Sequence, residues 1–256
     1  MKGFGSVYRK ELYILFASPI FYSVAFIFLL ISGYFYFSAI GYYNLYSFQA
    51  SQNPMMAKQL NLVDMVMRPF FMDISIVLLL LSPLLTMRLY AEERKSGTIE
   101  FLFTFPISDR AAVLAKFSAV STAYLVILAG TLPGVGLLGI LGNPDWKPIL
   151  CGYLGILLLG GAFLSFGTFT SSLTQNQIVA AVLSFGALLM FWIIGWLKNL
   201  VGPAMGEFVE YISITKHLDT FTKGVLDSRD LLYYVLFIAF FLFLTFRQMG
   251  SCRWRG

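Results

Sequence analysis

Few folds are open to a chain that sets six ionised side chains between two long apolar runs. Residues 87–107 hold Arg88, Glu92, Glu93, Arg94, Lys95 and Glu100, with the apolar runs 74–86 and 113–141 on either side. Each charge in a bilayer core costs about 2.5–3.5 kcal/mol on insertion scales, so charge this dense is excluded from hydrocarbon. The stretch is therefore a solvated turn between two membrane helices. Cytoplasmic loops carry the excess of Lys and Arg, and Arg94 and Lys95, with Arg88, Arg110 and Lys116 around them, place this turn inside.

The rest of the chain agrees. Of its 256 residues 58% are hydrophobic and 12% are charged, where a soluble domain carries about 25% charged residues. Apolar segments at 20–41, 70–87, 117–141, 149–173, 178–197 and 231–246 predict an all-α polytopic membrane protein with six transmembrane helices in a single domain, 1–256. Eleven of the eighteen Lys and Arg fall on the inner segments of this arrangement and seven on the outer ones, which puts both termini in the cytoplasm. The net charge of +5 therefore reads as topology; no basic cluster with interleaved aromatics stands clear of a membrane flank, so nucleic acid is not an expected partner.

Residues 1–18 carry Phe4, Val7, Tyr8, Leu12, Leu15 and Phe16 on one helical face, with Lys2, Arg9 and Lys10 elsewhere. They read as an interfacial helix on the inner leaflet or as a plain basic anchor. In the outer segment 42–69, Asn53 and Pro54 signal a helix start, and Asp64 and Arg68 are spaced for an i,i+4 pair. Asp73 lies near the outer end of the second span, where Arg68 favours a structural ion pair over a proton relay. Pro83 predicts a kink in that span, and Pro133, Gly134, Gly136 and Gly139 predict a bend in the third. The fourth span carries Gly152, Gly155, Gly160, Gly161 and Gly167, small residues that suit close helix packing as well as a translocation path. Residues 174–176 make a tight inner turn, and 198–230 is the longest extracytoplasmic segment. His217, the single histidine, lacks a second ligand and reads as a surface residue. Cys151 and Cys252 fall at opposite ends of the bilayer, which argues against a disulfide between them.

Within the charged turn, residues 91–95 are good helix formers and Gly97 can end a short helix. Thr98 can then cap a second one that stops at Pro106. Phe101, Phe103 and Phe105 give this elbow an aromatic tip suited to docking. The pattern Glu92-Glu93-Arg94-x-x-Gly97-Thr98-x-Glu100-x-Leu102, followed by Pro106-Ile107 and Lys116, resembles the cytoplasmic elbow of ABC-2 type transporter permeases. Within that family it is most similar to the gliding-motility and nitrous-oxide/copper-maturation permeases. Residues 171–180 resemble the family's tight inner turn and 223–231 its segment before the last helix.

The resemblance implies a permease subunit of an ABC transporter. It couples ATP hydrolysis on a separate ATPase subunit to substrate movement, with export the family's usual direction. Glu92, Glu93, Arg94, Gly97, Thr98 and Glu100 would be the ATPase-coupling residues, on a coupling elbow at 88–112. A second permease subunit, identical or related, membrane lipid and an accessory extracytoplasmic protein are the further partners, in the cytoplasmic membrane of a bacterium or archaeon. This chain would hold no cofactor; ATP and Mg would sit on the partner. The chain has no G-x-x-x-x-G-K-[ST] loop, H-E-x-x-H or C-x-x-C motif, so no catalytic or metal residues are expected and the chain is not read as an enzyme. The alternative is a membrane anchor or force-transmitting subunit of an ATPase-driven assembly or motility complex that moves no solute.

Overall fold

The computed structural model describes residues 3–52, 61–98, 108–142, 144–195 and 203–253. Every regular element among them is helical. Helix α1 (Phe4–Ala17) ends at Ser18, whose extended backbone turns the chain into α2 (Pro19–Gln52). A π-helical turn, Val63–Met67, leads into α3 (Arg68–Thr86), and after Met87 alone comes α4 (Arg88–Lys95). Then follow α5 (Asp109–Ala129), α6 (Leu132–Gly142), α7 (Trp146–Leu173), α8 (Gln177–Ile193), α9 (Pro203–Ile212), α10 (Ile214–Thr222) and α11 (Ser228–Arg253).

Five helices among the described residues are long and apolar enough to cross a membrane: Pro19–Gln52, Val63–Lys95, Asp109–Ile140, Trp146–Leu173 and Ser228–Ser251. The expectation of six is met only to that extent. The remaining apolar helix, α8, has 17 residues, so at 1.5 Å per residue it measures about 26 Å against a core of about 30 Å. The first span is longer than its sequence pattern suggests. It does not stop near Gly41 but runs on to Gln52, because Tyr42–Gln52 contains no proline or glycine to end it. The expected helix start at Asn53 and Pro54 lies outside the described residues.

Helix α7 is the hub, touching α3, α4, α5, α8, α10 and α11. In the most apolar stretches of the candidate spans, two-thirds of the residues are buried for Val63–Lys95 and Trp146–Leu173, against 22% for Pro19–Gln52 and Ser228–Ser251, so α3 and α7 form the centre and α2 and α11 the flanks. The glycines of α7 are where neighbours press closest. A Cβ on Gly160 would collide with the Tyr124 ring, one on Gly167 with the Thr86 side chain, and one on Gly152 with Phe71. Tyr124 lies across Gly160 with its hydroxyl donating to the Ile156 carbonyl at 2.8 Å. Packing within the subunit therefore accounts for these small residues. The expected bend in the third span falls at Gly130–Thr131, between α5 and α6, where Pro133 supplies no amide to continue the ladder. Asn176 caps α8 by accepting from the Ile178 amide at 2.9 Å, and Thr174 accepts from the Asn176 amide at 3.1 Å, which closes the short turn between α7 and α8.

The opposite end differs from the sequence reading in two respects. Arg68 does not pair with Asp64 or Asp73; its guanidinium donates to Asp219 at 2.7 Å, and Lys223 reaches the same carboxylate at 2.5 Å. The helical spacing to Asp64 is available, but α10 brings a carboxylate with two cationic partners. His217 is not on the surface but buried, its Nδ1 2.6 Å from Asp230 and its Nε2 2.9 Å from the Tyr211 carbonyl. Its ring stacks on Tyr233 at 3.9 Å. His217 thus pins α9 and α10 to the start of α11. No group of His, Cys, Asp and Glu fit to hold a metal occurs among the described residues. Cys151 is buried and free.

Two measurements probe this packing. Gly160→Ala drives a methyl into the Tyr124 ring and is expected to destabilise by about 1–3 kcal/mol, read as thermal unfolding in detergent. Gly186→Ala, where nothing lies within 4 Å, is expected to be neutral. For Asp219, burial by itself raises the carboxyl's pKa, but Lys223 and Arg68 outweigh it and hold the group below its ordinary value of 3.8. Stability from this site is present above pH 3.8 and fades as the pH falls through the lowered value. The melting-temperature gap between wild type and Asp219→Asn should therefore be full at neutral pH, begin to narrow only below pH 3.8, and close as the pH falls through the lowered pKa.

Candidate functional site: a buried charge clamp

Lys116 sits in the second turn of α5 and has no solvent exposure. An unpaired buried ammonium is strongly disfavoured, so its surroundings have to supply acceptors. Its Nζ donates to Glu11 Oε1 at 2.8 Å and to the Leu89 carbonyl at 2.7 Å. Glu93 Oε2 lies 3.0 Å away as an ion pair. The Tyr90 ring centroid lies 5.0 Å from the ammonium, within cation–π range. Glu93 is shared, because Lys10 donates to its other oxygen at 2.9 Å, and Lys10 also lies 3.7 Å from Glu11. Two ammonium groups and two carboxylates thus alternate in a compact cluster. Burial lowers the Lys10 pKa, but Glu93 and Glu11 override that and hold it above its ordinary value.

Three separate segments meet here. Lys10 and Glu11 come from α1, Glu93 from α4 and Lys116 from α5. Helix α1 packs along α5, with Val7 and Glu11 on its buried side and the Tyr8 hydroxyl 2.9 Å from the Thr122 hydroxyl. The N-terminal helix is thus fixed to the body of the protein as well as being amphipathic. Arg88 extends the cluster. It makes a two-pronged contact with Glu92 at 2.8 and 3.2 Å and donates to Ser18 at 2.7 Å, at the joint between α1 and α2.

A second fastening lies one turn deeper. The first amides of a helix have no partner inside it. At the start of α4 those of Tyr90 and Ala91 are taken by Ser171 Oγ at 3.1 and 3.2 Å, while the same hydroxyl donates to the Met87 carbonyl at 2.9 Å. Ser171 belongs to α7, so α7 caps α4 from outside. A cap of this kind is worth about 0.5–2 kcal/mol. Gly97, at φ +69°, ends α4 in the left-handed region that glycine adopts freely.

The coupling residues expected from sequence are distributed as follows. Glu92 faces Arg88, and Glu93 faces inward to Lys116 and Lys10. Arg94 is half-buried on α4. Thr98 meets the Ser96 hydroxyl at 2.8 Å and closes over the end of α4 rather than standing alone. Glu100, the helix expected to start at Thr98 and the tip Phe101, Phe103 and Phe105 lie outside the described residues. Lys10, Glu11 and Ser171 were not among the expected site residues. The signals that could have found the clamp are Glu11, which helical spacing from Val7 and Leu15 puts on the apolar face of α1, and Lys116 of opposite sign at the edge of an apolar run. Beside the clamp lies a cleft of about 420 Å³ lined by Lys10, Arg88, Glu92 and Ser96 together with Ile14, Phe21 and Leu85.

This is a membrane protein whose helical bundle carries an amphipathic N-terminal helix and a charged helical extension locked together by buried ion pairs. A family model described as ABC-2 family transporter protein matches residues 6–250, and the chain belongs to that family. No curated protein matches the chain.

Lys116→Met leaves Glu11 without its closest partner and Glu93 with Lys10 alone, and is expected to cost about 3–5 kcal/mol. The double variant Lys116→Met/Glu11→Gln removes a charge of each sign and should recover a large part of that loss. Thermal unfolding of the single and double variants in detergent measures the difference.

Proposed function

We propose that the chain is the permease subunit of an ABC transporter, driven by a separate ATPase subunit that docks on the face carrying α1, α4 and residues 96–107. In this reading α8 completes a sixth span, both termini lie in the cytoplasm, and the complex contains two permease subunits, identical or related. ATP and Mg belong to the partner chain, and export is the direction. The observation that carries the reading is the continuity of α3 and α4 across Met87, with α4 held from three sides. A push on the elbow is passed to the second span through Ser171 and Met87 and to the third through Glu93 and Lys116, because buried ion pairs and packed helices shift as units. Membership of the ABC-2 family supports the transport role. The narrower likeness to gliding-motility and nitrous-oxide/copper-maturation permeases leaves a second reading, a force-transmitting anchor in an assembly or motility complex.

The test is purification from native membranes in mild detergent, followed by an ATPase assay. A stoichiometric ATPase is expected. Gly97→Pro, which forbids the left-handed end of α4, should lower copurification or coupled ATP hydrolysis at least tenfold without lowering the amount of protein in the membrane. Full coupling in Gly97→Pro would remove the elbow from the mechanism. Other membrane partners with no ATPase would overturn the permease reading in favour of the anchor.

A further inference from the structure

A groove of about 510 Å³ runs between α5 and α11. Val113 and Leu114 line it on one side and Val235, Ala239 and Phe243 on the other, with Arg110 and Phe246 at one end. Phe243 and Val235 are among the exposed apolar side chains, so the groove opens outward, toward hydrocarbon in a membrane. The Arg110 guanidinium lies over the Phe246 ring at 5.4 Å. Arg247, one turn beyond Phe243 on α11, is also exposed at this end.

Two features select the occupant. From Val235 to Phe246 is eleven residue steps, about 16 Å of helix, which matches one leaflet of a hydrocarbon core about 30 Å thick. The lining is hydrocarbon along that length, and the cations stand only at the end that would lie at the interface. A partner helix would not need this one-ended charge. A phospholipid has that shape and polarity, an anionic headgroup at the interface and an acyl chain reaching to mid-bilayer.

We propose that the α5–α11 groove is a binding site for one anionic phospholipid, its phosphate held by Arg110 and Arg247 and an acyl chain laid against Val113, Ala239 and Phe243. The bound lipid covers apolar surface between the third and last spans, so it belongs to the subunit's lateral packing. The site stands apart from the charge clamp and does not depend on the transport reading.

The test uses the full-length chain equilibrated in bilayers of phosphatidylcholine with phosphatidylglycerol, then released gently for native mass spectrometry of retained lipid. Wild type should keep phosphatidylglycerol in preference to phosphatidylcholine. A juxtamembrane cation near an anionic lipid surface contributes enough that each removal should lower the preference about fivefold. Arg110→Gln/Arg247→Gln, both at exposed positions, should thus lose most of it at an unchanged melting temperature. Ala239→Phe fills the groove and should reduce retention of both lipids. An unchanged lipid preference in the double variant would overturn the proposal. So would Ala239→Phe converting a dimer to a monomer at constant lipid content, which would make the groove a seat for a second copy.

Discussion

Placing one ammonium group away from water sets the terms for the end of the protein where α1, α4 and α5 meet. Lys116 cannot be buried unless carboxylates come to it, and those that do belong to segments 105 and 23 positions away in the chain. Satisfying it therefore fixes where α1 lies, which way α4 faces and how close both come to α5. The balance of two cations and two anions makes the cluster tolerable, and its four-part sharing makes it specific: losing one member strands another. Ser171 works alongside it with neutral chemistry, meeting the open end of α4 from a helix that belongs to the core.

Above this layer the bundle depends on shape. Helix α7 accepts Tyr124, Thr86 and Phe71 against glycines, and lipid-like hydrocarbon between helices offers no hydrophobic drive to replace such contacts. At the far end the protein returns to charge. Asp219 collects Arg68 and Lys223, and His217 collects Asp230 and the Tyr211 carbonyl, so the short helices α9 and α10 are tied to α3 and α11. Polar fastenings at both ends of an apolar middle suit a molecule whose two surfaces are wet.

Much of this was readable from sequence because bilayer thickness and charge cost act on local composition. The apolar runs, the tight turn at 174–176, the bend before Pro133 and the helix end at Gly97 each follow from a few adjacent residues. Pairings across distance were not readable. Helical periodicity puts Glu11 on the apolar face of α1 but does not say that Lys116 waits opposite it. The spacing of Arg68 from Asp64 offers a local partner, and the fold supplies Asp219 instead. His217 looks solitary in sequence because Asp230 and the Tyr211 carbonyl reach it only once two short helices have folded back.

Helix α2 extends the consequences of these fastenings. Its first residue, Pro19, follows Ser18, which Arg88 of α4 holds at 2.7 Å. Its 34 residues make a rod of about 51 Å, well beyond the thickness of the hydrocarbon core, with Tyr42, Leu45, Tyr46 and Phe48 exposed along its far third. The rod is fastened farther along as well: the Tyr36 hydroxyl donates to the Gly134 carbonyl, the Tyr36 ring meets Phe70 edge-on, Ala50 is buried, and the helix touches the turn Val63–Met67. A stiff helix fastened near both ends moves as one body, so it joins the Ser18 joint at one end to the turn that opens the second span at the other.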